Sequence, residues 1–258
     1  MSEDNPGRAV PTSAGRDGFR WAPWRESAVG ASRNREIRVT CEEIHKPRDV
    51  KRIAESTIRR LSLYLRFLED FEARGLATIS SDELAARGGT TSAQVRKDLS
   101  FFGSFGKRGL GYSVAELSAR LRRILGLERQ WKVVIIGAGK IGAALAQYRG
   151  FQERGFLITA IYDSDPAKIG RMVDGHAIRP TECLLSDARS SAADIAVIAV
   201  PASAAQTAAD LAVSAGIRAI MSFAPRRLQV PENVTVKMVN MAMELEGLSF
   251  ALTNRDPE

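Results

Sequence analysis

Six residues of the chain, Gly137 to Gly142, have the spacing of a loop that holds a phosphate group. They read GAGKIG, after the apolar run VVII and before the helical stretch IGAALAQY. In a βαβ unit Gly137 allows the tight turn, Gly139 lets a pyrophosphate approach the backbone, and Gly142 lets the strand and the helix pack closely. Free N–H groups at the start of the helix attract the phosphate.

A carboxylate further along the chain narrows the ligand to a dinucleotide. Asp163 ends the next apolar run, FLITAIYD, 21 residues after Gly142. A carboxylate at that place accepts hydrogen bonds from the adenosine ribose hydroxyls and repels a 2′-phosphate, so we expect NAD(H) and not NADP(H) as the cofactor. Beside the three loop glycines, the predicted cofactor-binding residues are Ala138, Lys140, Ile141, Asp163, Asp165 and Lys168.

A second chemistry is indicated by the basic stretch SAQVRKDLS, which follows Thr91. Val95, Leu99 and Phe102 recur at helical spacing and predict an apolar side that packs on neighbouring helices. The opposite side carries side chains that can meet base edges and phosphates, as a recognition helix requires. The predicted DNA-binding residues of this helix are Gln94, Arg96, Lys97 and Ser100. Asp98 falls near the apolar side, and we expect it to pair locally.

A glycine-spaced segment, GSFGKRGLGY, follows the basic helix. Its glycines end the helix and permit a tight hairpin. The tip of the hairpin, Lys107 and Arg108, can reach a flanking minor groove, where arginine reads narrow A·T tracts. We therefore predict that both residues contact DNA.

The composition agrees with a polyanion as partner. The chain of 258 residues carries a formal net charge of +7 and is long enough for two domains. The longest apolar runs fall far short of a membrane span, and no secretory signal is visible, so we expect a cytoplasmic protein with no membrane partner. Cys41 and Cys183 lie far apart without metal-ligand spacing, which predicts free thiols and no metal site.

The elements that must position these residues divide the chain into four parts. Residues 1–45 are rich in Gly, Ser, Pro and Arg and predict a disordered basic arm. Short capped helices and the glycine hairpin predict a winged helix-turn-helix domain over 46–128. Continuous Val/Ile runs alternating with helices predict a parallel, doubly wound Rossmann domain over 129–239, so the fold class is α/β. Residues 240–258 predict a C-terminal amphipathic helix and a tail.

Groups that would catalyse a reaction are scarce in the sequence. The histidines are His45 and His176, and we expect His176, in the segment MVDGHAIRP, to lie at the surface. Paired carboxylates, a Ser/His constellation and a metal cluster are not recognisable, so we assign no catalytic residue. A sensor that binds the cofactor without turning it over is favoured over an enzyme.

The chain resembles the Rex family of redox-sensing transcriptional repressors over about residues 46–252. The stretches that carry the resemblance include TIRRLSLYLRFLE, SAQVRKDLSFFGSFGKRGLGY, GAGKIGAALAQYRGF, SFAPRRLQVPENV and ELEGLSFAL. The resemblance implies a homodimer whose final helix is swapped onto the partner subunit. It also implies binding to an inverted-repeat DNA operator and release from it at high NADH.

The resemblance further assigns three residues to a redox switch. Tyr148 matches a tyrosine near the nicotinamide pocket, and Arg66 matches an arginine that links the first helix to the cofactor domain. Asn240 stands where the family commonly has an acidic residue, and an amide lacks the charge that strengthens a hydrogen bond to arginine. Two alternatives stay open: an NAD(H)-dependent oxidoreductase with a fused DNA-binding domain, and a redox-insensitive DNA-binding paralogue, the second because of Asn240.

Overall fold

The structure is a computed structural model of the chain, and it describes residues 53–103, 106, 111–190 and 192–254. All of these residues belong to one compact unit. The predicted arm, 1–45, and the predicted wing tip, Lys107 and Arg108, lie outside the described residues.

The first part of the described chain is helical. Its elements are α1 (Glu55–Ala73), β1 (Thr78–Ile79), α2 (Ser81–Gly88), α3 (Ser92–Ser100), β2 (Tyr112–Ser113) and α4 (Val114–Ile124). Side-chain caps begin three of these helices, in agreement with the predicted short capped helices. Ser80 and Glu83 form a capping box at α2. Thr91 and Ser113 accept backbone N–H groups at the starts of α3 and α4.

One hydrophobic cluster joins these helices. The apolar side of α1 contributes Leu61, Leu65 and Leu68, and the predicted apolar side of α3 contributes Val95 and Leu99. Strands β1 and β2 pair antiparallel where the glycine segment returns to the helices. The described glycines of that segment, 103, 106 and 111, all have positive φ, as a tight hairpin requires.

The second part is a sheet with helices. Its elements are β3 (Trp131–Ile136), α5 (Lys140–Ala146), α6 (Arg149–Glu153), β4 (Phe156–Asp163), β5 (Met172–Val173), β6 (His176–Pro180), α7 (Cys183–Ser190), β7 (Ile195–Ile198), α8 (Ala205–Ser214), β8 (Ala219–Ser222), β9 (Thr235–Met238) and α9 (Met241–Thr253). The strand order is β5-β6-β4-β3-β7-β8-β9. Every pair is parallel except β5 and β6, which confirms the predicted doubly wound sheet. The hydrophobic clusters on this sheet are formed by strand residues together with residues of α5, α7 and α8.

The β5–β6 hairpin is not predicted by the sequence pattern. Asp174 and Gly175 turn the chain with positive φ, and β6 then joins the parallel sheet beside β4. His176 is the first residue of β6 and is half-buried, so its expected surface position is only partly correct. The alternation of apolar and polar residues that marks a strand is hard to recognise in strands as short as β5 and β6.

The last helix differs from the expected amphipathic one. Its large apolar side chains are between 58% and 70% exposed, and they are Met241, Met243, Leu245, Leu248, Phe250 and Leu252. They lie on two opposite sides of α9 rather than on one, because residues 241, 245, 248 and 252 follow one another at intervals of four, three and four residues, while 243 and 250 lie seven residues apart on the other side. A helix that is apolar on both sides is built to be covered on both sides.

Candidate nucleotide-binding and DNA-binding sites

The glycine loop lies where the strand order of the parallel sheet reverses. β3 pairs with β4 on one side and with β7 on the other, so their carboxyl ends border a crevice. Gly137 leaves β3 with φ 105°, a conformation that favours glycine, and a Cβ there would lie 2.5 Å from the Ala199 carbonyl oxygen. The turn therefore depends on glycine at this position.

Gly142 and Gly139 have opposite surroundings. A Cβ at Gly142 would lie 1.8 Å from the Gly137 carbonyl oxygen, so only glycine allows α5 to pack this closely on the loop. A Cβ at Gly139 would meet no atom of the described chain within 4 Å apart from its direct neighbours. Gly139 is the N-cap of α5, and its open side leaves room for a phosphate at the helix N-terminus.

The carboxylate of Asp163, at the end of β4, is hydrogen-bonded to the glycine loop. It accepts hydrogen bonds from the backbone N–H of Ala138 at 2.7 Å and of Asp165 at 2.8 Å, and from Lys168 Nζ at 3.0 Å. Asp163 is 6% exposed. Burial would raise the pKa of Asp163, but the donated hydrogen bonds and the Lys168 charge outweigh burial and lower the pKa. The group is therefore a carboxylate at neutral pH.

A cleft of about 120 Å³ opens beside these groups. Gly137 and Asp163 line it on the loop side, and Val200, Thr207 and Leu211 line it from the β7–α8 side. Ile141 and Lys140 lie in the first turn of α5 and are exposed. The cleft offers backbone donors, an acceptor carboxylate and an apolar wall, which together suit a nucleotide.

The predicted recognition helix is anchored by a buried carboxylate. Asp98 is 0% exposed and accepts hydrogen bonds from Arg60 Nε at 2.6 Å and Nη2 at 2.8 Å. The Tyr64 hydroxyl donates to it at 3.1 Å and Gln94 Nε2 at 2.8 Å. The expected local pairing of Asp98 is thus only partly correct, because its main partners come from α1. Sequence spacing does not reveal a partner 38 residues away.

The other α3 residues that are predicted to bind DNA lie on the exposed side of the helix. Arg96 Nη1 donates to Ser81 Oγ at 2.9 Å, which ties α3 to the start of α2. The Ser100 hydroxyl donates to the Lys97 carbonyl oxygen at 2.7 Å. Within the described ranges the Lys97 ammonium group has no hydrogen-bond or ion-pair partner, so it is available to a phosphate.

Comparison with known proteins matches both parts of the chain. A family model described as "Putative DNA-binding protein N-terminus" matches residues 52–100. A second, described as "CoA binding domain", matches residues 128–226. A redox-sensing transcriptional repressor Rex of Syntrophomonas wolfei is 50% identical over 208 residues, which cover 80% of this chain and 99% of that protein.

The chain belongs to the Rex family. The Rex of Streptomyces coelicolor is 46% identical over 207 residues, 80% of either chain. Crystal structures of RSP, a Rex-family repressor, are also similar. The complex of RSP with β-NAD+ and operator DNA is 37% identical with a TM-score of 0.74, over 78% of this chain and 92% of that one. The complex with β-NADH is 36% identical with a TM-score of 0.71, over 78% and 94%.

Family membership confirms the resemblance read from the motifs and the predicted combination of folds. The Rex relatives carry the names of repressors and not of enzymes, which agrees with the prediction of a regulator. Among the described residues there is no group of three or more potential metal ligands. No helix in that part of the chain is both long and apolar enough to cross a bilayer.

No hydrogen bond or ion pair joins the three residues assigned to the Rex switch, all of which are among the described residues. Tyr148 is 58% exposed and forms an edge-to-face contact with Phe151. Arg66 is exposed on α1, with no ion pair or hydrogen bond to any described residue. Asn240 Oδ1 accepts the N–H of Ala242 at 3.0 Å, so the amide caps α9. This cap is a role that the sequence analysis misses, although asparagine before a helical run is its usual signal.

Proposed function

We propose that this chain represses transcription as a homodimer bound to an inverted-repeat operator, and that NADH bound at the glycine loop releases it. The observation that carries the proposal is the open space over Gly139, at the N-terminus of α5 and beside the ionised Asp163. That space suits a pyrophosphate, and the neighbouring carboxylate suits a ribose.

The nucleotide would be held by the residues predicted from the sequence. Backbone N–H groups from Gly139 to Gly142 face the pyrophosphate, and Lys140 adds a charge at the rim. Asp163 keeps acceptor capacity for ribose hydroxyls beyond the three hydrogen bonds that it already accepts. Asp165 and Lys168 hold the loop that follows the strand, and Lys168 reaches both carboxylates.

Dimerisation through α9 is supported by two complementary apolar surfaces. The large side chains on both sides of α9 are exposed in a single chain. A groove of about 340 Å³ runs over strands β3, β7, β8 and β9 and is lined mostly by apolar residues, among them Val133, Val197 and Met221. Burial of α9 of one subunit on this groove of the other would remove both surfaces from water.

DNA binding is supported by the charge and position of α3. Arg96, Lys97 and Ser100 stand exposed on the side away from the α1 contact, and Gln94 is half-exposed in the first turn. Helix-turn-helix proteins place the N-terminal residues of this helix against base edges. Lys107 and Arg108 are proposed as minor-groove contacts on sequence grounds alone. A repressor acts where its operator lies, which supports the predicted cytoplasmic location.

An ion pair joins the nucleotide-binding part to α1. Arg154 follows α6, whose N-cap is Tyr148, and Arg154 Nη1 lies 2.7 Å from a carboxylate oxygen of Glu69 on α1. The other oxygen of Glu69 pairs with Arg122 on α4. A shift of α6 on nucleotide binding would therefore act on two helices of the DNA-binding part. We include Arg66, Tyr148 and Asn240 as the switch residues that this shift would bring together across the dimer.

The test is an anisotropy titration of the protein on an inverted-repeat operator at fixed salt. NADH, NAD+, NADPH and coenzyme A are added in separate arms. Coenzyme A is included because the family model that matches residues 128–226 is described as a CoA binding domain. We expect NADH alone to weaken DNA binding, by about 5- to 150-fold. Gly139→Val is the matched control, since its side chain fills the phosphate space while α3 is untouched. Equal affinity in all arms would favour the redox-insensitive paralogue, and NADH consumption with carbonyl substrates would favour the oxidoreductase.

A further inference from the structure

The carboxylate of Asp98 receives four hydrogen bonds from three side chains. Two come from the Arg60 guanidinium, one from the Tyr64 hydroxyl and one from Gln94 Nε2. Burial would raise the pKa of Asp98, but these bonds and the charge of Arg60 outweigh burial and lower the pKa. An ionised carboxylate can only accept hydrogen bonds.

This chemistry fixes the orientation of the Gln94 side chain. The amide has one end that donates and one that accepts, and only the donating end can face a carboxylate. Gln94 lies one helical turn before Asp98, at the boundary between the buried and the exposed side of α3. Its Oε1 therefore faces away from Asp98, and within the described residues nothing donates to it.

We propose that Asp98 sets the base preference of α3 by holding Gln94 so that Oε1 faces the DNA. This inference rests on the proposed function. In the major groove only adenine N6 and cytosine N4 donate hydrogen bonds, whereas guanine and thymine present acceptors. An Oε1 held in this orientation accepts a hydrogen bond from the exocyclic amino group of adenine or cytosine. It repels the acceptor that guanine or thymine would present at the same position, so the contact both favours one base and disfavours others. Asp98 is a positioning residue and does not itself contact DNA.

The experiment removes the exocyclic amino group from a base of the DNA and, separately, the side-chain amide of Gln94 from the protein. The operator duplex that wild type binds is remade with purine in place of adenine, or 2-pyrimidinone in place of cytosine, one position at a time. We expect one position in each half-site at which wild type loses about tenfold in affinity. Gln94→Met keeps the length of the side chain without the amide, and it should not distinguish the two duplexes. The purine and pyrimidinone arms show which base is read.

Two variants of the cluster separate positioning from folding. Asp98→Asn lets the Gln94 amide turn, so this variant should bind duplexes that carry the read base, or instead a guanine or thymine at that position, with about equal affinity. Tyr64→Phe removes another hydrogen bond from the same carboxylate, leaves Gln94 held, and should keep the wild-type discrimination. In the free protein, one Gln94 side-chain N–H signal in the NMR spectrum should shift on Asp98→Asn but not on Tyr64→Phe.

The outcomes keep this inference apart from the proposed function. A wild type that does not bind the operator, or ignores NADH, contradicts the proposed function. A wild type that binds and responds to NADH, but with the same base-analogue penalties in Gln94→Met, overturns the inference. The inference also fails if Asp98→Asn folds and weakens all duplexes equally. If Asp98→Asn does not fold, the other two variants test the inference. It is overturned unless Gln94→Met loses the base discrimination and Tyr64→Phe keeps it.

Discussion

Among the described residues, two carboxylates are buried, and each serves a different half of the proposed function. Asp98 holds α3 against α1 and receives its hydrogen bonds from side chains. Asp163 holds the glycine loop, and two of the three hydrogen bonds that it accepts come from backbone N–H groups. Both have a lowered pKa, although burial opposes this in each case.

The difference lies in what each group does when its site is used. The four bonds to Asp98 satisfy it within the protein, so it shapes the DNA-binding surface without taking part in binding. Asp163 lines a cleft and keeps acceptor capacity, so a ligand can be added to its bonds. We infer that stability depends more on Asp98, and ligand affinity more on Asp163.

Truncation of the two aspartates should give the largest difference. Asp98→Ala leaves the Arg60 guanidinium and the Tyr64 hydroxyl without their acceptor, and we expect the free energy of unfolding to fall by about 3 kcal/mol. Asp163→Ala frees backbone groups that water in the cleft can reach, and we expect a loss of about 1 kcal/mol. Urea denaturation followed by circular dichroism measures both. Equal losses would contradict the inferred division of roles.

For nucleotide affinity, a change at Asp163 should have the larger effect and a change at Asp98 the smaller one. Asp163→Ala loses charge-assisted hydrogen bonds to the ribose, and we expect NADH to bind about 10- to 100-fold more weakly. Asp98→Asn is the matched control, since it alters a buried carboxylate far along the chain from the loop, and NADH affinity should stay at the wild-type value. Isothermal titration calorimetry measures both. A comparable loss in the control would mean that Asp98 and the cleft are coupled.

The contrast also explains which parts could be predicted from sequence. Asp163, Gly142 and the caps at Ser80, Thr91 and Ser113 act over short, regular spacings, which the sequence displays directly. The Asp98 partner on α1 depends on how two helices meet, which spacing does not encode. The sequence predicts one apolar side for α9 where the structure has two, because residues that face a second surface look like ordinary hydrophobic positions.

Acid should destabilise the protein in part through these groups. A lowered folded-state pKa contributes stability that is present above the ordinary carboxyl pKa of 3.8 and is lost as the pH falls through the folded value. We therefore expect the free energy of unfolding to fall steeply below about pH 4. Asp98→Asn removes one of the two contributions, so its stability should fall less steeply. Urea midpoints measured from pH 3 to 7 test this, and an unchanged slope would contradict the lowered pKa of Asp98.

The smallest expected effect concerns the choice between nucleotides. Lys168 Nζ lies 3.0 Å from Asp163 Oδ2 and offsets the charge that should repel a 2′-phosphate. Lys168→Met removes this offset, and we expect the preference for NADH over NADPH to rise about two- to fivefold, since the pair is partly exposed. Competition titrations with the two reduced nucleotides measure the ratio, with Lys140→Met as the control at the other side of the loop. A ratio that falls instead would show that Lys168 positions Asp163 for the ribose and that its charge matters less than its hydrogen bond.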